Sequence, residues 1–417
     1  MKKKVIVLII IIFIVGCKGS FSKDNTEEVF DFTNNISEFA IINSYTIYGR
    51  FFNIEGKINN KDNLKLVLKN NKEEIEYDVF IEEQEENTIF KTNKLINEGI
   101  NLENIKEGSY IVLLKNNDNY YNLKDNTNYK KKYKDLEYYT ITKDNLNYEI
   151  KISFIEIMDK EFLALNVEKV NLPDEIYDIV IDPGHGGIDV GAINKKETES
   201  KINLEYSIML KEKLDKLGLK VKLTREKDEV ISNYGEKGRV SIPYKTKAKL
   251  LLSLHLNSSE LNVKEGGVEI YVPNNVNINF AKSLASNIVN MTSTIYSKNS
   301  ASRVEKGVYL RTLTKNDLDE MANEAKKDGY TPYERANTNS TYYYMIRETG
   351  GIITGAYIDF RNPKKEGNPY YMSNHGCESY LVELGYLSSN YNLNILKTEK
   401  EKYIDAIVKS IQEELQI

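Results

Sequence analysis

The sequence predicts an α/β region, with a mostly parallel sheet flanked by helices, preceded by an all-β region resembling a β-sandwich. Two observations lead to this prediction. Between residues 41 and 172, short apolar runs alternate residue by residue, with Asn, Asp and Gly turns between them. From about Pro173 onward, short apolar strands alternate with segments of helical periodicity, which is typical of a parallel sheet with crossover helices.

Length and composition agree with two globular domains. The chain has 417 residues, of which 41% are hydrophobic and 29% charged. This is enough apolar material for two cores. The net charge is −5. A nucleic-acid-binding protein normally carries a basic stripe, so no nucleic-acid partner is expected.

The N-terminus reads as an export signal. Three lysines at positions 2–4 precede an apolar run from Val5 to Val15, which is too short to span a bilayer. The segment 14–17, IVGC, resembles a bacterial lipobox, so residues 1–17 are interpreted as a lipoprotein signal and Cys17 as the lipidated residue. Two or more acyl chains would hold the mature protein at a membrane surface. The alternative is an uncleaved hydrophobic anchor.

Residues 18–40 are polar and acidic, and we expect them to be a linker between the membrane and the folded part. The β-rich accessory domain is predicted over 41–172. Its clearest hairpin pairs alternating apolar residues on both sides of a turn at 70–72. The domain contains no histidine and no catalytic constellation, so it is either a module that binds the cell wall or a protein partner, or a spacer.

The α/β region is predicted over 173–417. Strands are expected at 179–181, 219–224, 249–254, 267–272 and 379–384. Helices are expected at 199–217, 281–291 and 399–415, the last with Thr398 as its N-cap.

Three polar side chains follow the predicted buried strands of this region. His185 follows the first strand on a glycine-rich turn, His255 follows the third, and Glu383 lies at the end of the last. The carboxyl ends of parallel strands meet at one edge of a sheet, where ligands bind. Glu199 begins the first helix, whose N-terminus faces the same edge. We therefore expect these four residues to lie close together.

Two imidazoles and one carboxylate make a three-ligand zinc set with an open fourth position, the arrangement of catalytic zinc. A further carboxylate nearby could take a proton from the water and transfer it to a leaving amine. The ligands lack a compact local signature, and a single histidine after a strand is more often structural than metal-binding. Two such histidines, in a chain that has only three, favour the metal site.

Several segments resemble, in order, those of the zinc-dependent N-acetylmuramoyl-L-alanine amidases, in particular the amidase type 3 catalytic domain. The resemblance covers about residues 176–417. It is carried by VIDPGHGG at 180–187, ESKINL at 199–204, LTR at 223–225 with Arg239, SLHLN at 253–257, GVEIY at 267–271 and LVELGYLS at 381–388.

The resemblance implies a phosphorylase/hydrolase-like fold, a Zn²⁺ cofactor bound by His185, Glu199 and His255, and Glu383 as general base and acid. Glu197 is the alternative acidic ligand. The implied substrate is peptidoglycan, cleaved at the amide between N-acetylmuramic acid and L-alanine during wall remodelling or autolysis. Two other functions stay open, namely a different zinc peptidase of the same polymer and a catalytically inactive wall-binding lipoprotein.

One departure from the family is an insertion at about 311–375. The family's leucine-arginine pair before the catalytic strand is assigned to 346–347, so Arg347 is predicted to point toward the cleft. Residues 317–327 are predicted to form a helix near the zinc that gates the cleft, with Glu320 or Glu324 able to fill the open zinc position. Insertions here resemble an autoinhibitory lid in some relatives, and the insertion or the N-terminal domain could bind a protein partner. The alternative is a surface elaboration far from the metal.

Two further residues invite a functional reading. Cys377 could be a nucleophile, but a small buried side chain at the start of a strand is favoured. His375 could line the cleft, but a solvated loop histidine is favoured.

Overall fold

We analysed a computed structural model of the chain. It describes residues 30–59, 62–84, 87–127, 136–140, 146–233, 237–259, 266–327, 337–355 and 375–417. The predicted signal and lipobox, including Cys17, therefore lie outside the described residues. Within the described ranges no helix is long and apolar enough to cross a membrane.

The first part of the molecule is all-β, as predicted. Two short 3₁₀ helices, at Asp31–Asn35 and Leu102–Asn104, accompany its strands. The strands are β1 (Phe39–Tyr48), β2 (Phe51–Asn59), β3 (Leu64–Lys69), β4 (Glu74–Asp78), β5 (Phe80–Gln84), β6 (Asn87–Lys91), β7 (Ile100–Asn101), β8 (Gly108–Asn116), β9 (Asn119–Asp125), β10 (Leu136–Tyr139), β11 (Asn147–Ile157) and β12 (Lys160–Val170).

These strands belong to one hydrogen-bonded sheet rather than to two separate ones. Its order is β10-β11-β12-β8-β9-β1-β2-β6-β5, while β3 joins β8 to β4. Only Val79 separates β4 from β5, so one bent stretch of chain pairs with β3 at one end and with β6 at the other. Residues from nearly all of these strands meet in a single core, so the sheet curls around it. A curled sheet provides the two facing layers expected of a sandwich.

The folded region starts earlier than predicted. Phe30 and Ile36 are buried, and they pack with Val67, Ile111 and Leu113 on the face of the sheet opposite the main core. The predicted linker at 18–40 is therefore wrong for residues 30–40. The alternation of β3 explains this, because Leu66 and Leu68 enter the main core while Val67 points to the other face and needs a cover.

The second part is an α/β unit, also as predicted. Its strands are β13 (Ile179–Pro183), β14 (Ile193–Asn194), β15 (Glu197–Thr198), β16 (Val221–Leu223), β17 (Leu250–Asn257), β18 (Glu269–Tyr271), β19 (Arg303–Glu305), β20 (Val308–Tyr309), β21 (His375–Gly376) and β22 (Glu378–Tyr386). Its helices are α1 (Glu199–Lys216), α2 (Ser241–Lys245), α3 (Asn279–Met291), α4 (Lys315–Lys327), α5 (Tyr344–Thr349), α6 (Asn390–Thr398) and α7 (Lys400–Leu415), and Gly351–Thr354 forms a 3₁₀ helix.

The main α/β sheet has the order β16-β13-β17-β22-β18-β20-β19. The first four strands run parallel, and β18 is antiparallel to β22. The adjacent strands β13, β17 and β22 carry His185, His255 and Glu383 near or just beyond their carboxyl ends. The sheet order thus brings the three predicted site residues to one edge.

The C-terminal helix differs from its prediction at its start. Thr398 is the last residue of α6, and its hydroxyl donates to the Asn394 carbonyl, 2.9 Å away, within that helix. Glu399 is the N-cap of α7 instead. The apolar periodicity of the sequence predicted α7, but it did not predict the short helix α6 before it.

Strand pairing connects the two parts. The two residues of β21 add to the edge of β1 in parallel, pairing His375 with Ile47 and Gly376 with Tyr48. Tyr48 is fully buried and belongs to the core of the α/β unit, together with Tyr380 and Ile96. The predicted boundary near 172 therefore separates the two parts along the sequence, but the two parts pack against each other.

Candidate metal centre

His185 lies on a tightly held turn after β13. Its backbone is in the left-handed region, with a φ of 60°. Two buried arginines bind the carbonyls of this turn. Arg225 donates to the carbonyls of Pro183 and Gly184, both at 3.0 Å, and Arg239 donates to those of Pro183, at 2.8 Å, and His185. These contacts hold a residue conformation that is otherwise unfavourable for a side chain with a Cβ.

The imidazole of His185 is oriented by two carboxylates. Its Nδ1 donates to Asp189 Oδ2 at 2.9 Å, and its Nε2 lies 3.2 Å from Glu199 Oε1. Metal-binding histidines usually donate their second nitrogen to such a carboxylate, which leaves the first nitrogen free for the metal. Asp189 thus has the position of an orienting partner for His185.

Glu199 is the first residue of α1 and is buried. Its Oε2 accepts the amide of Ala192 at 2.9 Å, and its Oε1 accepts the amide of Leu256 at 2.9 Å. His255 Nδ1 lies 3.0 Å from the same Oε1. The N-terminus of a helix favours a negative side chain, which helps to keep this carboxylate ionised.

Two glycines make room for the cluster. A Cβ at Gly184 would lie 2.3 Å from Cε1 of His255, and a Cβ at Gly191 would lie 2.6 Å from Oε2 of Glu199. Any side chain at either position would displace a residue of the cluster. Gly184 and Gly191 therefore have a steric role at the site, because the cluster occupies the space that a side chain would need.

His185, Glu199 and His255 form a group able to hold a metal ion. Each offers one ligand atom, and these atoms lie within 4.8 Å of one another. In a tetrahedral zinc site with bonds of about 2.1 Å, ligand atoms are roughly 3.4 Å apart. The 3.0 and 3.2 Å separations from Glu199 to the two histidines are close to this value. The donor set of two nitrogens and one oxygen fits zinc.

Charge coupling within the cluster is strong. Burial alone would lower the pKa of His185, but the carboxylates of Glu199 and Asp189 outweigh it and raise this pKa to about 9. Burial alone would raise the pKa of Glu199, but hydrogen bonds from His185 and His255 lower it far below its usual value. A positive charge among these three side chains is therefore favoured, whether it is carried by protons or by a metal.

Glu383 is next to the cluster. In the sheet it pairs with His255 of β17 on one side and with Glu269 of β18 on the other, so the three side chains form a row on one face. Its Oε2 is buried, and no donor among the described residues reaches it. Burial, followed by the charges of Glu199 and Glu269, raises the pKa of Glu383 well above its usual value. A carboxyl with high proton affinity and a free oxygen is suited to accept and return a proton.

Glu197, the alternative ligand, lies away from the histidines. Its carboxylate contacts Lys397 Nζ at 2.5 Å on the surface. The structure thus brings Glu199, and not Glu197, to His185 and His255.

The prediction for Arg347 is wrong. This side chain is buried and donates to Glu348 and to the carbonyls of Thr341 and Tyr342, so it supports its own segment rather than the cleft. Arg311, directly after β20, is exposed instead, and its guanidinium lies 3.4 Å from the centre of the Tyr342 ring. Residues 310–311 are also a leucine-arginine pair, and they directly follow a strand.

His375 and Cys377, the two other residues with a possible functional role, lie in places that fit a structural role. His375 is in β21 rather than in a solvated loop, and burial lowers its pKa to about 3. Cys377 is buried between β21 and β22, and burial raises the pKa of its thiol. This disfavours a nucleophilic cysteine, which needs a low pKa and an accessible sulfur.

The helix predicted within the insertion is present as α4, and none of the side chains described over 315–323 is buried. Glu320 is exposed, while the side chain of Glu324 lies outside the described residues. A gating role for α4, and a carboxylate of this helix at the open zinc position, stay predictions.

One buried carboxylate near the site was missed. Glu269 has no exposed surface and accepts hydrogen bonds from four side chains. It lies in the GVEIY segment, but an acidic residue in an apolar strand was the only local sign of a special role.

Fold and site together define an α/β protein with a candidate metal centre of the type found in metal-dependent hydrolases. The sequence of residues 179–413, more than half of the chain, matches the family N-acetylmuramoyl-L-alanine amidase. The chain belongs to this family.

Among individual relatives, the chain is 33% identical over 104 residues to the germination-specific N-acetylmuramoyl-L-alanine amidase of Bacillus subtilis, covering 22% of this chain and 44% of the relative. It is 35% identical over 98 residues to the amidase AmiA of Escherichia coli, covering 23% and 32%. The matched segments thus span less than half of these relatives.

Solved structures of amidases are also similar. The catalytic domain of CwlV from Bacillus (Paenibacillus) polymyxa var. colistinus has 21% identity and a TM-score of 0.38, covering 58% of this chain and 99% of that one. The CwlD amidase of Clostridioides difficile, solved in complex with the GerS lipoprotein, has 24% identity and a TM-score of 0.34, covering 58% and 98%.

Proposed function

We propose that this protein is a zinc-dependent N-acetylmuramoyl-L-alanine amidase that removes stem peptides from peptidoglycan. Family membership supports the reaction type. The observation that carries the proposal is the row formed by Glu383 and His255 beside the His185–Glu199–His255 cluster. In this row one Glu383 oxygen has no hydrogen-bond partner among the residues that the structure describes.

The residues divide the chemistry between them. His185, Glu199 and His255 would hold zinc, which when bound would polarise the scissile carbonyl and make water more acidic. Glu383 takes the proton of the attacking water and holds it, which its high proton affinity favours. It then returns the proton to the leaving L-alanine nitrogen. Asp189 contacts Nδ1 of His185, so Nε2 is the nitrogen that would be available to zinc.

Replacing Glu383 by Gln tests this role. We expect E383Q to retain zinc and to lose at least about a hundredfold in the release of L-alanine N-termini from purified peptidoglycan, because the proton acceptor is gone. E197Q is the matched control, since it changes a surface carboxylate bound to Lys397. Mass spectrometry of the products separates an amidase, which releases whole stem peptides, from a peptidase, which shortens them. Full activity of E383Q would contradict the assignment.

We further propose that the protein acts outside the cytoplasm, attached to the membrane by a lipid on Cys17. The proposal is supported by the lipobox-like segment 14–17 after a basic and apolar N-terminus. Cys17→Ala should abolish incorporation of labelled fatty acid and shift the protein from the membrane fraction. Cys377→Ala should change neither, since that thiol is buried. Labelling that persists in the Cys17 variant would contradict the anchor.

A further inference from the structure

The four hydrogen bonds to Glu269 join three strands beside the candidate metal centre. Oε1 accepts the hydroxyls of Ser297 and Tyr386, both at 2.6 Å. Oε2 accepts the Tyr271 hydroxyl at 2.7 Å and the Asn257 amide at 3.1 Å. Tyr386 belongs to β22, Tyr271 to β18 and Asn257 to β17.

The Asn257 contact ties down the end of β17 at an irregular place in the sheet. His255 pairs with Glu383, but Asn257 pairs with Tyr386, so β22 has one extra residue in this interval. Such bulges aim side chains near functional sites and weaken the local ladder. At this place a side-chain hydrogen bond from Asn257 reaches across β22 to Glu269.

The same end of β17 supplies two contacts to the cluster. The His255 ring lies against Glu199, and the Leu256 amide donates to Glu199 Oε1 at 2.9 Å. Because β13 ends at Pro183, which pairs with Leu254, no residue of that strand pairs with Leu256. Both contacts depend on where residues 255–257 are held.

We propose that Glu269 is a positioning residue for the metal centre. Through Asn257 it clamps the end of β17 to β22 and β18, which fixes His255 and the Leu256 amide against Glu199. This inference builds on the proposed function, in which Glu199 and His255 bind zinc. Partners of metal ligands that hold them in place typically contribute about 10- to 100-fold to metal affinity.

Zinc affinity, measured by competition with a chromophoric chelator, tests the clamp independently of catalysis. We expect N257A and E269A to weaken zinc binding about 10- to 100-fold. E269Q should restore most of the affinity, because a glutamine oxygen can still accept from Asn257 while its amide donates to the hydroxyls of Ser297 and Tyr386. S297A is the matched control, since it removes one bond to Glu269 without touching Asn257, and its affinity should stay close to that of the wild type.

The outcomes separate this inference from the proposed function. Unchanged zinc affinity in N257A, or equal losses in E269A and E269Q, would overturn the clamp. If E269A fails to fold, N257A decides the question, because Asn257 is only half-buried at the end of its strand. A wild-type protein that binds zinc but releases no L-alanine N-termini would refute the amidase proposal and leave the clamp standing.

Discussion

At the scale of single residues, the candidate centre depends on contacts between positions far apart in the chain. Glu199 accepts hydrogen bonds from the backbone amides of Ala192 and Leu256, and its carboxylate also contacts two histidines. These contacts stabilise its negative charge. The partners come from two segments that are distant in the chain, the segment after β13 and the end of β17. A small steric change at one of them should therefore disturb the whole cluster.

Gly184→Ala is the sharpest such change. The added methyl would lie 2.3 Å from the His255 ring, which must shift away from Glu199. We expect zinc affinity and amidase activity to fall together while the chain still folds. Gly218→Ala is the control, because its Cβ would meet nothing within 4 Å; the left-handed backbone there should cost about 1 kcal/mol of stability without affecting zinc. Wild-type zinc binding by G184A would contradict the proposed crowding.

Prediction at the residue scale succeeded where a local motif carried the information. Glycine-flanked His185, strand-ending His255 and helix-starting Glu199 are recognisable from their neighbours in sequence, and the structure brings all three together. Arg347 was predicted to point toward the cleft, but it is buried, and nothing in the local sequence distinguishes its surroundings from those of exposed Arg311. Glu269 could not be assigned a role, because its partners come from distant strands and a loop.

At the scale of elements, a cluster around one half-buried carboxylate joins four strands of the all-β part. Glu74 of β4 contacts Lys115 of β8 at 2.6 Å and Lys69 of β3 at 2.7 Å, and it accepts the Tyr120 hydroxyl of β9 at 2.6 Å. Burial alone would raise the pKa of Glu74, but these hydrogen bonds outweigh it and lower the pKa to about 2. The charged form is thus the one that stabilises the sheet.

Removing this charge should give a pH-dependent loss of stability. The folded-state pKa lies below the unfolded one, so the stabilisation is complete above about pH 4.5 and disappears as the pH falls toward about 2. We expect E74Q to lower the free energy of unfolding by about 1–2 kcal/mol at pH 7, and by progressively less in acid, in urea titrations.

Asp78→Asn is the matched control on the same strand. Asp78 is 85% exposed and its ion pair with Lys65 is on the surface, so its loss should change little. A difference between E74Q and the wild type that stays constant from pH 7 to pH 3 would show that the charge of Glu74 does not stabilise the sheet.

At the scale of the whole molecule, the two parts share a core and a strand pairing. Tyr48 of β1 packs in the α/β core, and β21, just before β22 with the candidate residue Glu383, pairs with β1. Arg50 forms a salt bridge with Glu414 of α7, and Asn97 donates to Glu378, the first residue of β22, at 2.9 Å. The all-β part thus supports the start of β22, although Glu383 lies near that strand's other end.

Tyr48→Ala should therefore destabilise the α/β part as well. Truncating a fully buried aromatic costs about 3–5 kcal/mol. We expect a lower temperature of half-inactivation for the zinc-bound protein, measured as the loss of amidase activity after heating. Phe39→Ala is the control, since Phe39 lies on the same strand but is 45% exposed. Equal thermal stability of the two variants would indicate that the parts are energetically independent.

The sequence by itself determined the all-β and α/β parts and the family, and it predicted the candidate site residues that the structure brings together. Apolar periodicity and short motifs encode these features, and both are local. Only the tertiary structure decided where His375 and Arg347 lie, how early the all-β sheet begins, and that Glu269 stands beside Glu383. These features depend on strand register and burial, which arise from pairing between distant segments. Between His255 and Asn257, β22 has one extra residue relative to β17, and this shift determines which side chains meet there. No local sequence pattern predicts the shift.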